Sequence, residues 1–213
     1  MDSHHLRRLH QVHGAAVSVS RAGAAGSRVQ PDADIIISDD PALVLAIQTA
    51  DCVPLLMADR RTPCVAAAHA GWRGLAARVP GAAIEALARE FGSRPEDLIA
   101  AVGPSISAPR YEVGASVRAR FEEAGFSTPQ LARWFSAAER PEHWYFDGWQ
   151  AARDQLEDAG VPPSQIHIAA LCTATHADVF CSYRRDGSPA GRMAAAIRAR
   201  GGDATIGAGL EAA

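Results

Sequence analysis

The amino-acid sequence predicts an α+β fold, in which strands and helices mix without strict alternation. Short apolar runs bounded by turn residues crowd the first third of the chain, a pattern typical of β-strands. Later segments place apolar residues at helical spacing. With 213 residues, 48% of them hydrophobic and 21% charged, a single globular domain over residues 1–213 is expected.

Seven segments have the pattern of strands, because each is an apolar or alternating run limited by turn-forming residues. They are residues 12–20, 34–38, 43–48, 53–58, 65–69, 98–102 and 166–171.

Four segments have the pattern of helices, and the first is the clearest because Gly92 is a natural C-cap. They are residues 75–91, 113–124, 149–159 and 191–200. Pro80 lies inside the first of them and predicts an irregular first turn or a separate piece. Residues 22–27 and 182–187 are expected to be loops.

Composition removes several classes of function. All 21 positive charges are arginine, so a lysine Schiff base and a phosphate-binding loop ending in Gly-Lys-Ser/Thr are excluded. The net charge of −3 disfavours nucleic acid as a partner. The longest apolar runs are too short to cross a bilayer, and the first residues lack the apolar core of a signal peptide. A cytoplasmic location is therefore expected, with no membrane partner and the oligomeric state left open.

Polar residues concentrate where apolar strands begin or end. His13, Cys52 and His69 come from three such places, and together they would form a site with one thiolate and two imidazoles. Zn²⁺ accepts nitrogen and sulfur ligands, and three protein ligands leave a fourth position open, as in catalytic zinc sites. Copper is the less favoured alternative. The competing interpretation is a packed thiol and two hydrogen-bonded histidines.

Charged residues near these places are candidates for further roles. Asp51 adjoins Cys52 and is a candidate proton donor or base, or else a turn carboxylate. Arg73 follows a tight Gly-Trp turn and suits a phosphate or a developing oxyanion, or else a structural ion pair. Arg184 and Arg185 lie in a turn that would bind a phosphate or substrate anion, or else form a salt-bridged loop. Cys172 directly follows the predicted strand over 166–171. It is either a nucleophile or a buried inert thiol.

Seven motifs occur in a fixed order along nearly the whole chain. They are LHQVHG (9–14), TADCVPL (49–55), AHAGWRG (68–74), GPSI (103–106), YEVG (111–114), CT (172–173) and SYRRDG (182–187). Together they strongly resemble the laccase-like polyphenol oxidase family. Its members are also named purine nucleoside phosphorylases, adenosine deaminases or peptidoglycan-editing factor-like proteins.

The resemblance implies a fold and a set of ligands. The fold would be an α/β/β/α sandwich of layered mixed sheets flanked by helices, related to cysteine-dependent toxin enzymes. The family's metal ligands fall on His13, Cys52 and His69, the same three residues that the donor chemistry selects. Relatives usually carry a longer stretch before the Gln-Val-His motif, so the resemblance also predicts that this N-terminal segment is missing.

The resemblance implies a zinc enzyme that acts on purine nucleosides, by phosphorolysis of adenosine, inosine, guanosine or methylthioadenosine, by deamination of adenosine, or by both. The expected partners are then a purine nucleoside and phosphate. Two other functions stay open: a non-catalytic, zinc-stabilised module and a copper-dependent polyphenol oxidase. Against the last, multicopper oxidases use many histidines in His-x-His pairs, whereas this sequence has eight histidines and no such pair.

Overall fold

The structure, a computed structural model, describes residues 5–24 and 30–201. Twelve strands lie within these ranges: β1 (Leu6–Arg7), β2 (Val17–Ser20), β3 (Ile35–Ser38), β4 (Val44–Thr49), β5 (Val53–Asp59), β6 (Val65–Ala70), β7 (Leu98–Val102), β8 (Glu112–Gly114), β9 (Phe135–Ala137), β10 (His143–Phe146), β11 (Ile166–Ile168) and β12 (Met193–Arg198). The same ranges hold six α-helices: α1 (Trp72–Ala76), α2 (Val79–Phe91), α3 (Ala115–Glu123), α4 (Thr128–Trp134), α5 (Gly148–Asp158) and α6 (Tyr183–Asp186).

A six-stranded mixed sheet organises the molecule, with strand order β11-β7-β5-β6-β3-β2. The central strands β7, β5, β6 and β3 pair antiparallel, whereas the two edge pairs, β11–β7 and β2–β3, are parallel. In this register Pro54 lies opposite His69, so the start of β5 lies beside the end of β6. That register decides which residues can meet at this edge of the sheet.

The two faces of this sheet bury different cores. On one face, α1, α2 and α5 cover a core that includes Leu55, Met57 and Leu87. On the other face lies a three-stranded sheet of order β1-β4-β12, with a smaller core that includes Leu45 and Ile47. Burying both faces explains why β3 and β6 are buried at every position.

A second small sheet, of order β8-β10-β9, stands beside the helices and is fully antiparallel. Its core is aromatic: the Phe121 ring lies 5.1 Å from that of Phe146 and 5.4 Å from that of Phe135, measured between centroids. Phe146, at the end of β10, also reaches the pocket described below. The prediction of an α+β fold with layered mixed sheets flanked by helices is confirmed.

The long helix predicted over 75–91 is two helices, α1 and α2. Arg78 adopts a left-handed conformation with φ of 60° between them, and Pro80 lies in the first turn of α2. The interruption expected from Pro80 is therefore present.

The prediction of a helix over 191–200 is wrong, because this segment forms β12. It pairs antiparallel with β4, from Met193 opposite Thr49 to Arg198 opposite Val44. Alternate side chains of β12 are exposed, as expected for a strand with one covered face. Tertiary pairing with β4 has overridden the helix propensity of its three alanines.

Smaller differences concern element ends. The strand predicted over 12–20 begins at Val17, and the helix predicted over 113–124 begins at Ala115, because residues 113–114 belong to β8. The loop predicted over 182–187 contains the short helix α6. The strand predicted over 166–171 ends at Ile168. The loop predicted over 22–27 lies partly outside the described residues. Within the described ranges, no helix combines the length and apolar character that crossing a bilayer requires.

Candidate metal centre

His13, Cys52 and His69 meet at one end of the six-stranded sheet. Their ligand atoms all lie within 4.8 Å of one another. His69 belongs to β6, Cys52 immediately precedes the neighbouring strand β5, and His13 lies in the turn that leads to β2. The His13 and His69 rings meet edge to face, with centroids 4.8 Å apart. The structure thus brings together three residues that the sequence separates by 39 and 17 positions.

Asp34, which no sequence motif marked as a site residue, lies in direct contact with the cluster. Its carboxylate is fully buried, and its Oδ1 lies 2.8 Å from Nδ1 of His69. This contact leaves Nε2 of His69 free to face the cluster, the arrangement seen in carboxylate–histidine–metal triads. A signal existed: a carboxylate at the start of a fully apolar strand is unusual unless it is paired.

The turn that carries His13 folds around the same carboxylate. The backbone N–H groups of Val12, His13 and Gly14 donate to Asp34 at 3.2, 3.0 and 2.7 Å. His13 itself has φ of 60°, which is uncommon for a residue other than glycine. The Gln11 amide donates to the Gln48 carbonyl and accepts from the Gln48 N–H, and so fastens the turn to the end of β4.

Neighbouring groups shift the protonation of the cluster. Burial alone raises the pKa of Cys52, but hydrogen bonds with His13 and His69 outweigh it and lower that pKa to about 7. Burial lowers the pKa of His69, but Asp34 and Cys52 outweigh it and raise that pKa to about 9. The cluster therefore favours a thiolate, which is the form of cysteine that binds metal. Metal binding would release the proton from His69.

The residues present fit a metal ion. One sulfur and two nitrogen donors converge, and within residues 5–24 and 30–201 they are the one group of three such side chains found. Gly71 leaves space next to the sulfur, since a Cβ at that position would lie 2.8 Å from Sγ of Cys52. Zn²⁺ binds such sets with an open fourth position, and copper also accepts them.

A small, partly open pocket lies beside the cluster. Asp51 and Cys52 line it at one side, and Trp72, Tyr111 and Phe146 give it an aromatic wall. Burial raises the pKa of Tyr111 above its usual range, so this hydroxyl stays neutral at physiological pH. An apolar wall beside a few polar groups is typical of small-molecule sites.

Asp51 links the metal cluster to the 172–187 segment. Oδ1 accepts from the Thr173 hydroxyl at 2.6 Å, and Oδ2 accepts from the backbone N–H of Arg184 at 2.6 Å. The residue has φ of 87°, so its side chain turns away from the regular alternation of β5. Its carboxylate thus fixes the position of Arg184, and a catalytic role for Asp51 stays a prediction.

The predicted anion-binding arginines differ in what they contact. Arg73 is exposed, and its guanidinium lies 4.4 Å from the centre of the Trp72 ring. Arg184 lies over the Tyr111 ring at 4.9 Å and donates to the Glu112 carbonyl. Arg185 instead holds its own loop, because its guanidinium contacts Asp186 and the carbonyls of Thr173 and Phe180. Arg73 and Arg184 therefore flank the aromatic wall of the pocket.

Cys172 is 6% exposed and has an unusual environment for a buried thiol. Burial raises its pKa, but hydrogen bonds from Ser107 and Thr175 outweigh it and lower that pKa to about 7. His176 bonds the Cys172 carbonyl rather than the sulfur. Cys64, by contrast, is buried with a raised pKa, as expected for a packing thiol.

Comparisons with known proteins identify relatives of this chain. Residues 1–200 match the family model described as multi-copper polyphenol oxidoreductase laccase. A protein of Bacteroides thetaiotaomicron named purine nucleoside phosphorylase is 40% identical over 164 residues, which are 77% of this chain and 60% of that protein. One of Deinococcus radiodurans with the same name is 42% identical over 190 residues, which are 89% of this chain and 68% of that protein.

A solved structure shows the same fold. The Bacillus licheniformis hypothetical protein YfiH superposes with a TM-score of 0.86 at 28% identity, covering 93% of this chain and 76% of that one. The chain described here spans 60% and 68% of the two curated relatives above. Because the family model matches nearly the whole chain, the chain belongs to the multi-copper polyphenol oxidoreductase laccase family, among whose relatives are proteins named purine nucleoside phosphorylase.

Proposed function

We propose that this chain forms a zinc-dependent site for phosphorolysis of purine nucleosides. The observation that carries the proposal is the convergence of His13, Cys52 and His69 beside a pocket with an aromatic wall. The names of the two curated relatives support the same substrate class.

In phosphorolysis, a phosphate oxygen bonds to C1′ of the ribose while the bond from C1′ to the purine nitrogen breaks. The departing purine takes up a proton, and ribose 1-phosphate is released. A zinc ion held by the three ligands would supply Lewis-acid polarisation. The protein's remaining work is to hold both reactants in line, which lowers the barrier by removing the need to bring them together.

The side chains around the pocket suit the two reactants. The side chains of Trp72 and Tyr111 line the pocket and would give a planar base apolar contacts. Arg73 is exposed, and in the described part of the chain it has no ion pair, so its guanidinium is available for bidentate binding of phosphate. Arg184, whose backbone N–H donates to Asp51, would supply a second guanidinium for the phosphate, with Arg185 keeping the loop in place.

Deamination of adenosine is the alternative reaction of the same site, and the family description makes copper-dependent phenol oxidation a further outcome to test. The experiment measures metal content of the purified protein by mass spectrometry. It then follows adenosine and inosine turnover with and without phosphate, and phenol oxidation with added copper. Base release that requires phosphate, with one zinc per chain, supports the proposal. Phosphate-independent conversion of adenosine to inosine identifies a deaminase. Zinc without turnover favours a non-catalytic module, and copper with phenol oxidation overturns the proposal.

Two pairs of variants sharpen this test. Cys52→Ala should lose both zinc and turnover, whereas Cys181→Ala, at another half-buried free cysteine, should keep both.

Arg73→Ala should raise the KM for phosphate by roughly 10-fold or more, the effect of losing a charge-assisted hydrogen bond. The control Arg89→Ala removes an exposed arginine of α2 that pairs with its neighbour Glu90, and should leave this KM unchanged. Equal effects of both arginine variants would rule out the assigned role of Arg73.

A further inference from the structure

We propose that Asp34 is the positioning residue of the metal centre, where its single carboxylate fixes the His69 ring and the His13 turn at the same time. The inference rests on the metal site of the proposed function, but not on the reaction that occurs there. It assigns no contact with substrate to Asp34. It states that two of the three metal ligands depend on one buried side chain.

The contact with His69 defines which nitrogen faces the metal. Asp34 Oδ1 lies 2.8 Å from Nδ1 of His69, and both side chains are buried, at 0% and 4% exposure. The His69 backbone N–H also donates to the Asp34 carbonyl at 2.8 Å, which locks the two residues in register. The ring is thereby held with Nδ1 toward Asp34, so that Nε2 is presented to the cluster.

The contacts with the turn fix the second ligand. Three consecutive N–H groups, from Val12, His13 and Gly14, point at the same carboxylate. Such a concave set of N–H groups needs an anion at its centre. His13 is held at φ of 60°, a conformation that persists in residues with a side chain only where the surroundings impose it. Asp34 is the charged group that accepts from these N–H groups, and it holds this conformation together with the Gln11–Gln48 hydrogen bonds.

The number of donors explains why a carboxylate is required. Oδ1 faces the His69 nitrogen and the His13 N–H, while Oδ2 accepts from Val12 and Gly14. An amide in place of the carboxylate would turn an NH₂ group toward one of these pairs of donors. Cys52 bonds neither oxygen of Asp34, so the thiolate ligand should survive the loss of the carboxylate.

The test measures zinc affinity by competition with a chromophoric chelator, and then records the absorption spectrum of the Co²⁺-loaded protein. Asp34→Asn should bind zinc 10- to 100-fold more weakly, the range for losing a partner of a metal-bound histidine. Its Co²⁺ form at saturation should keep the thiolate charge-transfer band, while the d–d bands change in position and intensity. Asp34→Glu keeps the charge but displaces it, and should show the same changes to a smaller degree.

The matched control is Asp154→Asn. Asp154 is also buried, at 3% exposure, and its partners are the Trp134 indole, Gln150 and Arg133 on α4 and α5, none of which belongs to the cluster. This variant should lose stability but keep wild-type zinc affinity and the wild-type Co²⁺ spectrum. A purely structural role of Asp34 would give it the same behaviour as the control.

Two outcomes would overturn the inference: wild-type zinc affinity in either Asp34 variant, or a lost thiolate band, which would mean that the whole site has collapsed. Zinc affinity and the Co²⁺ spectrum are measured without turnover, so this test does not depend on the proposed reaction. Weaker zinc binding in Asp34→Asn combined with an inactive wild-type protein supports the inference and contradicts the phosphorylase. Unchanged zinc binding in Asp34→Asn combined with an active wild-type protein contradicts the inference and supports the phosphorylase.

Discussion

At the scale of single residues, the metal centre depends on close approaches that local sequence patterns do not show. The grouping of His13, Cys52 and His69 was predicted from their donor chemistry and from the family resemblance, and the structure brings the three side chains together. Asp34 was not singled out, since its role depends on a pairing with His69 that lies 35 residues away. Asp51 was singled out as a candidate, but its hydrogen bond with Thr173, 122 residues distant, was not predicted. Residue type and the family motifs selected the candidate donors, but not the side chains that contact them.

Gly71 gives the first prediction at this scale. Its backbone has φ of −65°, which any residue adopts, so only the space next to Cys52 restricts this position. Gly71→Ala should weaken zinc binding at least about 10-fold, because the added Cβ would lie 2.8 Å from Sγ and displace it from a metal–sulfur bond of about 2.3 Å. Chelator competition measures the change.

The control for that change is Gly81→Ala in α2, where nothing lies within 4 Å of an added Cβ. It should keep wild-type zinc affinity and raise the free energy of unfolding by roughly 0.5–1 kcal/mol, as for Gly-to-Ala changes inside helices. If both variants bind zinc like the wild type, the space between Gly71 and Cys52 does not matter for the site.

Cys172 gives a prediction about pH. Its pKa falls from 9.0 to about 7 on folding, so it stabilises the protein above pH 9, and this contribution is lost as the pH falls through 7. The destabilisation caused by Cys172→Ala should therefore grow between pH 7 and 9, by at most about 2–3 kcal/mol. Urea unfolding of wild type and variant across this range measures it.

Cys64→Ala is the control with the opposite sign. Burial raises the pKa of Cys64, so its contribution is complete below pH 9 and is lost only above that value. The penalty of this variant should stay constant from pH 7 to 9. A Cys172→Ala penalty that is equally constant would show that the Cys172 thiol is not ionised near neutral pH.

At the scale of elements, the sequence predicted β3 to β7 and α5 closely, because each is a clear apolar run or a helical pattern between turn residues. It failed for β12, whose Ala-rich sequence favours a helix. The pairing partner of β12 is β4, about 150 residues earlier, and local pattern cannot reveal such a partner. The helix α4 was missed although Ser127 and Gln130 form a capping box, which is a recognised signal for the start of a helix.

The strand character of β12 is testable with two neighbouring residues. Ile197 faces the smaller core beside Leu45 and Ala199, whereas Ala196 points to solvent. Ile197→Asp should lower the free energy of unfolding by about 2 kcal/mol or more, because it places a charge against apolar side chains. Ala196→Asp should change it by no more than about 0.5 kcal/mol. Similar effects of the two variants in urea unfolding would contradict the alternation of a strand.

At the scale of the whole molecule, the residue patterns predicted the fold class and the family resemblance implied the layering, but neither predicted the strand order. The order β11-β7-β5-β6-β3-β2 combines parallel and antiparallel neighbours, and it results from long-range pairings rather than from any local signal. This order has a consequence for stability. The turn before β2, the start of β5 and the end of β6 meet at one point, so a metal ion there would join three distant parts of the chain.

Zinc should therefore stabilise the folded molecule as a whole. A ligand at 100 times its Kd that binds only the folded state adds about 2.7 kcal/mol to the free energy of unfolding. For a chain of this length, that corresponds to an increase in Tm of about 5–10 °C over the chelator-treated protein, measured by calorimetry. Cys52→Ala should show no such increase, and Cys181→Ala should show all of it. Because the unfolded chain also offers cysteine and histidine ligands, the measured increase should lie toward the lower value. A Tm that zinc leaves unchanged in the wild type would mean that the three side chains do not hold a metal in the folded protein.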